Sequence, residues 1–218
     1  MVENHPDIRK QECRGIACLV LSAFCFALMS MFVHLAGDLP SMQKSFFRNL
    51  VAALSAVVLL LRAGEPFRIR RENLPYFLMR SIFGTMGVLC NFYAVDHLVL
   101  ADASILNKMS PFFTVLFSWL ILKEKVMPIQ LSLIFGAFLG SIFVVKPTFS
   151  NLALVPSLLG FFGGICAGAA YTMVRKLGEA GEKGPVIVLF FSVFSCVVVL
   201  PWLIFDYHPM TWQQMGIL

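Results

Sequence analysis

The sequence predicts an all-α membrane protein. Three observations support this fold class: an apolar composition, membrane-length apolar runs and a one-sided distribution of basic residues. Of the 218 residues, 59% are hydrophobic and only 13% are charged, far from the balance of soluble domains, which could not bury that much apolar surface. The net charge of +5 does not indicate nucleic-acid binding, because the Lys and Arg residues cluster between apolar runs rather than along one accessible face.

Seven apolar runs are long enough to cross a bilayer, which takes about 20 helical residues and tolerates about 17. Backbone groups in lipid must bond within their own segment, so each run should be a helix of a transmembrane bundle. The first run has 22 residues and no small-residue cleavage signal after it, so we interpret it as a retained helix rather than a signal peptide. The runs are 15–36, 45–61, 76–98, 100–122, 129–145, 157–174 and 186–205.

The basic residues between these runs fall almost entirely on one side of the predicted membrane. Alternating the loops puts twelve Lys and Arg on one side and only Lys44 and Lys146 on the other. Basic residues accumulate on the cytoplasmic side, so we expect a multi-pass protein of the inner (cytoplasmic) membrane with a cytoplasmic N-terminus. The cytoplasmic side would hold the N-terminal segment 1–14 and the loops 62–75, 123–128 and 175–185.

A weak internal repeat relates residues 144 positions apart. Phe46-Phe47 aligns with Phe190-Phe191, and Ala36-Gly37 aligns with Ala180-Gly181. Five crossings separate the copies, so the two would enter the membrane from opposite faces, as in the inverted repeats of secondary transporters. We therefore predict an inverted repeat of five-helix units. The first unit, 15–147, is complete, the second, 148–218, is partial, and the chain is expected to be a C-terminally truncated piece of a ten-helix protein.

Polar side chains inside the third run are candidate functional residues, because a charged or amide group at membrane depth is costly. Arg80, Gly84, Gly87 and Asn91 lie on one helical face, spaced i, i+4, i+7 and i+11. This face either lines a cavity or packs closely on a neighbouring helix to which Asn91 bonds. Arg80 lies nearer the cytoplasmic end, where its side chain could instead extend to the membrane surface.

The fourth run carries a second polar face, formed by Asn107, Ser110, Pro111, Thr114 and Ser118. Pro111 removes a helical hydrogen bond and should kink the helix, which frees a carbonyl near Asn107. Interrupted helices build polar sites in transporters. The alternative is a packing kink in which neighbouring hydroxyl groups satisfy the backbone.

Glycine stripes on the fifth and sixth runs predict close helix packing. Tyr171 continues the stripe of the sixth run, and its hydroxyl could reach a cavity. Arg48 lies near the start of the second run, towards the external side. The glycines are Gly136 and Gly140 in the fifth run and Gly160, Gly164 and Gly168 in the sixth.

Catalytic, metal-binding and nucleotide-binding patterns are absent from the sequence. It contains no H-E-x-x-H, G-x-S-x-G or P-loop pattern, and its six cysteines include no C-x-x-C pair. We therefore expect no enzyme activity, no cofactor and no metal. The expected partners are the lipid bilayer and a small-molecule substrate, without nucleic acid, and a homodimer stays open.

Several short motifs follow one another along the first five runs. They are Phe47-Arg48-Asn49, Leu78-Met-Arg80-Ser-Ile-Phe-Gly84, Asn91-Phe-Tyr93-Ala94, Leu100-Ala-Asp102-Ala103, Ser110-Pro111, Leu122-Lys-Glu124-Lys125 and the stretch from Gly136 to Pro147. In this order they resemble the EamA-type repeat of the drug/metabolite transporter superfamily.

The resemblance implies a ten-helix carrier of two inverted halves, with a central cavity and alternating access. Members move small metabolites such as amino acids, often outward. The family's recurrent polar or kinked positions fall on Arg48, Arg80, Asn91, Tyr93 and Pro111. Two competing interpretations are a non-transporting membrane assembly partner and a lipid-carrier flippase.

Overall fold

The computed structural model describes residues 39–64, 67–123, 127–145 and 154–205, together with scattered helical positions between 13 and 28. Within these regions the chain is helical between short loops and forms no strand. A single 3-10 turn, Arg71–Asn73, precedes the second helix. The helices are α1 (Ser41–Arg62), α2 (Leu74–His97), α3 (Leu100–Asn107), α4 (Ser110–Leu122), α5 (Pro128–Val145), α6 (Leu154–Glu179) and α7 (Gly184–Phe205).

The predicted all-α membrane fold is confirmed. Five described segments are long and apolar enough to cross a membrane, and they match the second, third, fourth, sixth and seventh predicted runs. The fifth run forms the 18-residue helix α5, Pro128–Val145. Most of the first run, the N-terminal segment and the C-terminal tail lie outside the described residues.

Ser41–Asp206 forms one compact unit, and α6 runs through its centre. On one side α2 packs against α6, where a methyl group on Gly87 would lie 3.2 Å from the Gly163 carbonyl oxygen. On another side α3 and α4 cross the glycine stripe. A methyl group on Gly164 would lie 2.9 Å from the Leu106 carbonyl oxygen, and one on Gly168 would lie 2.5 Å from Phe113 Cβ. The stripe is therefore a packing surface, because only glycine allows backbones this close.

The G-x-x-x-G pattern of α5 behaves differently. A methyl group on Gly136 or Gly140 would meet no atom within 4 Å in the described part of the chain. The packing that these two glycines predicted therefore has no partner among the described residues.

Helices α1 and α7 form an antiparallel pair. Both have 22 residues, and they pack with Asn49 against Ser195 near one end and Leu60 against Val186 and Ile187 at the other. Their first residues, 41 and 184, are 143 positions apart, within one residue of the offset found in the sequence. Two equivalent helices of opposite direction are what an inverted repeat requires. The boundaries of the repeat units stay a prediction.

One end of the bundle is held together by the turn that follows α6. Gly181 adopts a left-handed conformation (φ 77°), which glycine adopts without steric cost. The Glu182 N–H donates to the Leu177 carbonyl at 3.0 Å, which completes a Schellman motif. The Glu182 carboxylate then accepts a hydrogen bond from the Asn73 side chain at 2.6 Å. The loops before α2 and after α6 thus meet at one end, as the alternation of basic loops predicted.

An apolar cluster lies directly beneath this contact. Its buried members come from α1, α2, α6 and α7, and the Phe77 and Phe190 rings meet edge to face with centroids 5.3 Å apart. The cluster consists of Leu60, Phe77, Leu177, Val186 and Ile187. Four helices therefore converge on this end of the bundle.

Candidate functional site

Arg80 of α2 is held against α7 inside the bundle. The centre of its guanidinium group lies 4.1 Å from the centroid of the Phe191 ring, a cation–π contact. The guanidinium also occupies the space that a side chain at position 84 would fill, since a methyl group on Gly84 would collide with Arg80 Nη1. Gly84 therefore leaves room for the guanidinium group. The sequence had predicted a cavity or close helix packing for this helical face, but not this contact.

The direction of the Arg80 side chain decides between two interpretations of the sequence. Helical side chains lean towards the N-terminus of their helix, which for α2 is the predicted cytoplasmic end. Arg80 extends the opposite way, one turn towards Gly84, and its Nε is buried with no hydrogen-bond partner among the described residues. Arg80 thus points away from the N-terminal end of α2, which favours the cavity interpretation over the interfacial one.

Two further predicted residues are grouped with Arg80. No hydrogen bond, ion pair or ring contact among the described residues joins Arg80 to Arg48 of α1 or to Tyr171 of α6, but Tyr171 lies within electrostatic range of both guanidinium groups. Both arginines are half-buried, whereas the Tyr171 side chain is exposed from the bundle. We call these three candidate residues, Arg48, Arg80 and Tyr171, the arginine site.

The positive charge of the arginine site is not neutralised by the described part of the chain. No Asp or Glu in the described ranges forms an ion pair with Arg48 or Arg80; the carboxylate of Glu179 pairs with Arg175 at 3.5 Å instead. An arginine at the centre of a membrane helix costs about 2.5–3.5 kcal/mol on insertion scales and normally faces a partner or a water-filled cavity. Two guanidinium groups without a carboxylate partner among the described residues are candidates for binding an anion.

A polar seam that the sequence did not single out runs between α1 and α7 beside this site. The buried Asn49 side chain donates to Ser195 Oγ at 2.9 Å. The hydroxyls of Ser45 and Ser192 are buried without a hydrogen-bond partner among the described residues, as are those of Ser81 and Thr85 on α2. Spacings of three or four residues between hydroxyls on an apolar helix are the signal that could have found them.

The fourth predicted run is interrupted, as Pro111 predicted. Helix α3 ends at Asn107, α4 begins at Ser110, and a turn joins them. The predicted polar face is divided by this turn, because Ser110 is buried while Asn107 and Pro111 are exposed.

The Ser110 side of the interruption is a packing joint. The Thr114 hydroxyl donates to the Ser110 carbonyl at 2.9 Å, and the Thr172 hydroxyl of α6 lies 3.3 Å from the Thr114 carbonyl. These contacts, together with the glycine stripe, favour the packing interpretation for Ser110 and Thr114.

Asn91 and Tyr93 lie further along α2. Asn91 is half-buried, and a methyl group on Gly163 would lie 3.3 Å from its backbone nitrogen. The Tyr93 ring stacks on His97 with centroids 4.1 Å apart, and the His97 Nδ1 lies 2.9 Å from the Tyr93 carbonyl oxygen. No hydrogen bond or ion pair in the described chain connects either residue with the arginine site.

The chain is similar to proteins of one known family. Residues 13–146, more than half of the chain, match the EamA-like transporter family. The pseudopaline exporter CntI of Pseudomonas aeruginosa is 33% identical over 206 residues, which cover 94% of this chain and 72% of the exporter. The chain belongs to the EamA-like transporter family. This family is part of the drug/metabolite transporter superfamily. The family and the relatives named here are transporters rather than enzymes.

Two further proteins match most of this chain and part of their own length. Human solute carrier family 35 member G1 is 28% identical, with 89% of this chain and 56% of the carrier covered. A crystal structure superposes with a TM-score of 0.67 over 88% of this chain and 71% of that one, at 13% identity. The last comparison supports the fold alone. All the matches fit a multi-pass membrane protein.

Proposed function

We propose that this EamA-family protein is a secondary transporter that exports a small metabolite, such as an amino acid or a related compound, across the cytoplasmic membrane by alternating access. The arginine site lies on the path of the substrate. The N-terminus is cytoplasmic, the protein has no enzymatic activity, and its partners are the bilayer and the substrate.

The observation that carries the proposal is the contact of Arg80 with the Phe191 ring across the predicted repeats, with Arg48 and Tyr171 within electrostatic range. Arg48 and Arg80 come from the predicted first repeat, whereas Tyr171 and the supporting Phe191 come from the second. Substrate sites of inverted-repeat transporters lie between the repeats near mid-membrane. A costly charge without a carboxylate partner among the described residues serves binding at such a boundary better than it serves stability.

Alternating access requires an end of the bundle that closes and opens. In the state described here, the predicted cytoplasmic end is closed by the apolar cluster around Phe77 and by the contact between Glu182 and Asn73. The cluster brings α1 and α2 against α6 and α7, so rocking one repeat against the other would separate its halves. This state therefore corresponds to one in which the cytoplasmic path is shut.

Support for export comes from one relative, and support for the orientation comes from the loops. The relative from Pseudomonas aeruginosa is an exporter by name. The twelve basic residues on one side of the predicted membrane favour a cytoplasmic N-terminus.

The proposed function is tested by metabolite analysis of the growth medium. A bacterial host expresses either the chain or its Arg48→Met/Arg80→Met variant at equal membrane levels. We expect at least one small metabolite to accumulate outside the cells only with the unchanged chain. An unchanged medium would contradict the proposal, provided that the pseudopaline exporter, in the same host, releases its own substrate.

A further inference from the structure

The arginine site suggests the chemical class of the substrate. We propose, on the basis of the function above, that the transported molecule is an organic anion carrying a carboxylate, bound by the guanidinium groups of Arg48 and Arg80 and by the hydroxyl of Tyr171.

The arginine site is positively charged. Arginine keeps its proton at neutral pH, so the site carries two positive charges at membrane depth. Two of the described carboxylates are occupied elsewhere: Glu182 accepts from Asn73, and Glu179 pairs with Arg175. A cationic substrate would meet two like charges, which makes an anion the complementary ligand.

The N–H donors of the Arg80 guanidinium are available to a ligand. Its guanidinium is held by the face of the Phe191 ring and by the absence of a side chain at Gly84, and Nε has no hydrogen-bond partner among the described residues. A ring face positions the cation without using its N–H donors. Those donors match the two oxygens of a carboxylate, to which guanidinium binds in a bidentate manner.

The donors of the arginine site favour a carboxylate over a phosphate. Protein sites for phosphate commonly add backbone N–H donors from a helix N-terminus or a glycine-rich turn. Arg48, Arg80 and Tyr171 lie at least six residues inside their helices, where backbone N–H groups already bond within the helix. Only side-chain donors remain. The Phe191 and Tyr171 rings add apolar surface for the carbon skeleton of an organic acid.

The test uses proteoliposomes that contain the full chain and are loaded with the small-molecule extract of the host cell. We expect the compounds that leave faster than from protein-free vesicles to carry carboxylates. Protein-dependent release only of compounds that lack a carboxylate, whether they are neutral, cationic or phosphorylated, overturns the carboxylate assignment and leaves the transport function intact. If nothing is released in a protein-dependent way, the transport function itself fails, and the assignment fails with it.

A second measurement assigns the recognition to Arg80. Release of the identified acid is competed by the acid and by its amide, in the unchanged chain, in Arg80→Met and in Arg80→Lys. We expect the acid to compete about tenfold to a hundredfold better than the amide, a preference that Arg80→Met abolishes and Arg80→Lys keeps in part. Lys108→Met, which removes an exposed cation, is the matched control and should keep the full preference.

A purely structural Arg80 would give a different pattern. Its loss would slow release without changing the ratio between acid and amide. An unchanged ratio in both Arg80 variants would therefore overturn the proposal. If Arg80→Met fails to fold, as judged by gel filtration in detergent, Arg80→Lys alone gives the answer.

Discussion

Replacing Gly84 with alanine separates the role of the arginine site in function from its role in stability. The added methyl group would occupy the place of Arg80 Nη1 and would lie 2.8 Å from Phe191 Cε2. That separation is about 0.7 Å less than a comfortable carbon–carbon contact of about 3.5 Å. Both obstructing atoms are at the ends of side chains, so the guanidinium and the ring can move away while the helices stay in place.

The stability terms nearly cancel. Alanine in place of glycine favours a helix by about 0.8–1.0 kcal/mol. The displaced guanidinium loses a cation–π contact worth about 0.5–2 kcal/mol. We therefore expect Gly84→Ala to change the free energy of unfolding by no more than about 1 kcal/mol, but to reduce transport strongly because Arg80 no longer points to the site.

The assay compares melting temperature in detergent with release from proteoliposomes for the unchanged chain, Gly84→Ala and Gly136→Ala. Gly136 is the matched control, because a methyl group there would meet no atom within 4 Å in the described chain. Wild-type transport by Gly84→Ala, at equal incorporation, would refute the role given to this glycine. A large loss of stability would show that Gly84 serves helix packing instead.

Three further predictions concern the fold around the site. Gly168→Ala should lower stability by about 1–3 kcal/mol, since its methyl group would lie 2.5 Å from Phe113 Cβ and 2.9 Å from the Thr114 backbone nitrogen; a melting temperature equal to that of Gly136→Ala would contradict this. Asn49→Ala should cost about 1–3 kcal/mol because a buried hydrogen bond is lost; in a thermal-denaturation cycle with Ser195→Ala, strictly additive effects would show that the two side chains do not interact. Glu182→Ala should speed hydrogen exchange at the 70–73 amides, whereas Glu179→Ala, which removes an ion pair within α6, should not; equal rates in both variants would show that Glu182 does not hold this end.

The helices were predictable because lipid is their solvent, so every backbone group must bond inside its own segment. The interruption at Pro111 was predictable for a local reason, since proline has no N–H to donate. The stripe from Gly160 to Gly168 was also predictable, because its spacing of four residues places it on one face of α6.

The geometry of the site could not be predicted in the same way. The direction of Arg80 depends on Phe191, which lies on a helix 111 residues further along the chain. Asn49 finds its partner Ser195 across 146 residues. Asn107 was expected beside Ser110, but the turn between α3 and α4 leaves it exposed, and no local pattern sets that rotation.

The most direct measurement asks whether the arginine site faces water. Tyr171 and Leu54 are similarly exposed from the bundle, at 55% and 59%, but Leu54 lies about 120° around α1 from Arg48. Each position is replaced with cysteine in a chain whose six native cysteines are alanine, and membrane-impermeant thiol reagents of either charge are applied. We expect rapid labelling at position 171, faster with the anionic reagent because two guanidinium groups attract it, and no labelling at position 54. Equal labelling of both positions, or faster reaction of the cationic reagent at position 171, would contradict a water-accessible anion site at Arg48 and Arg80.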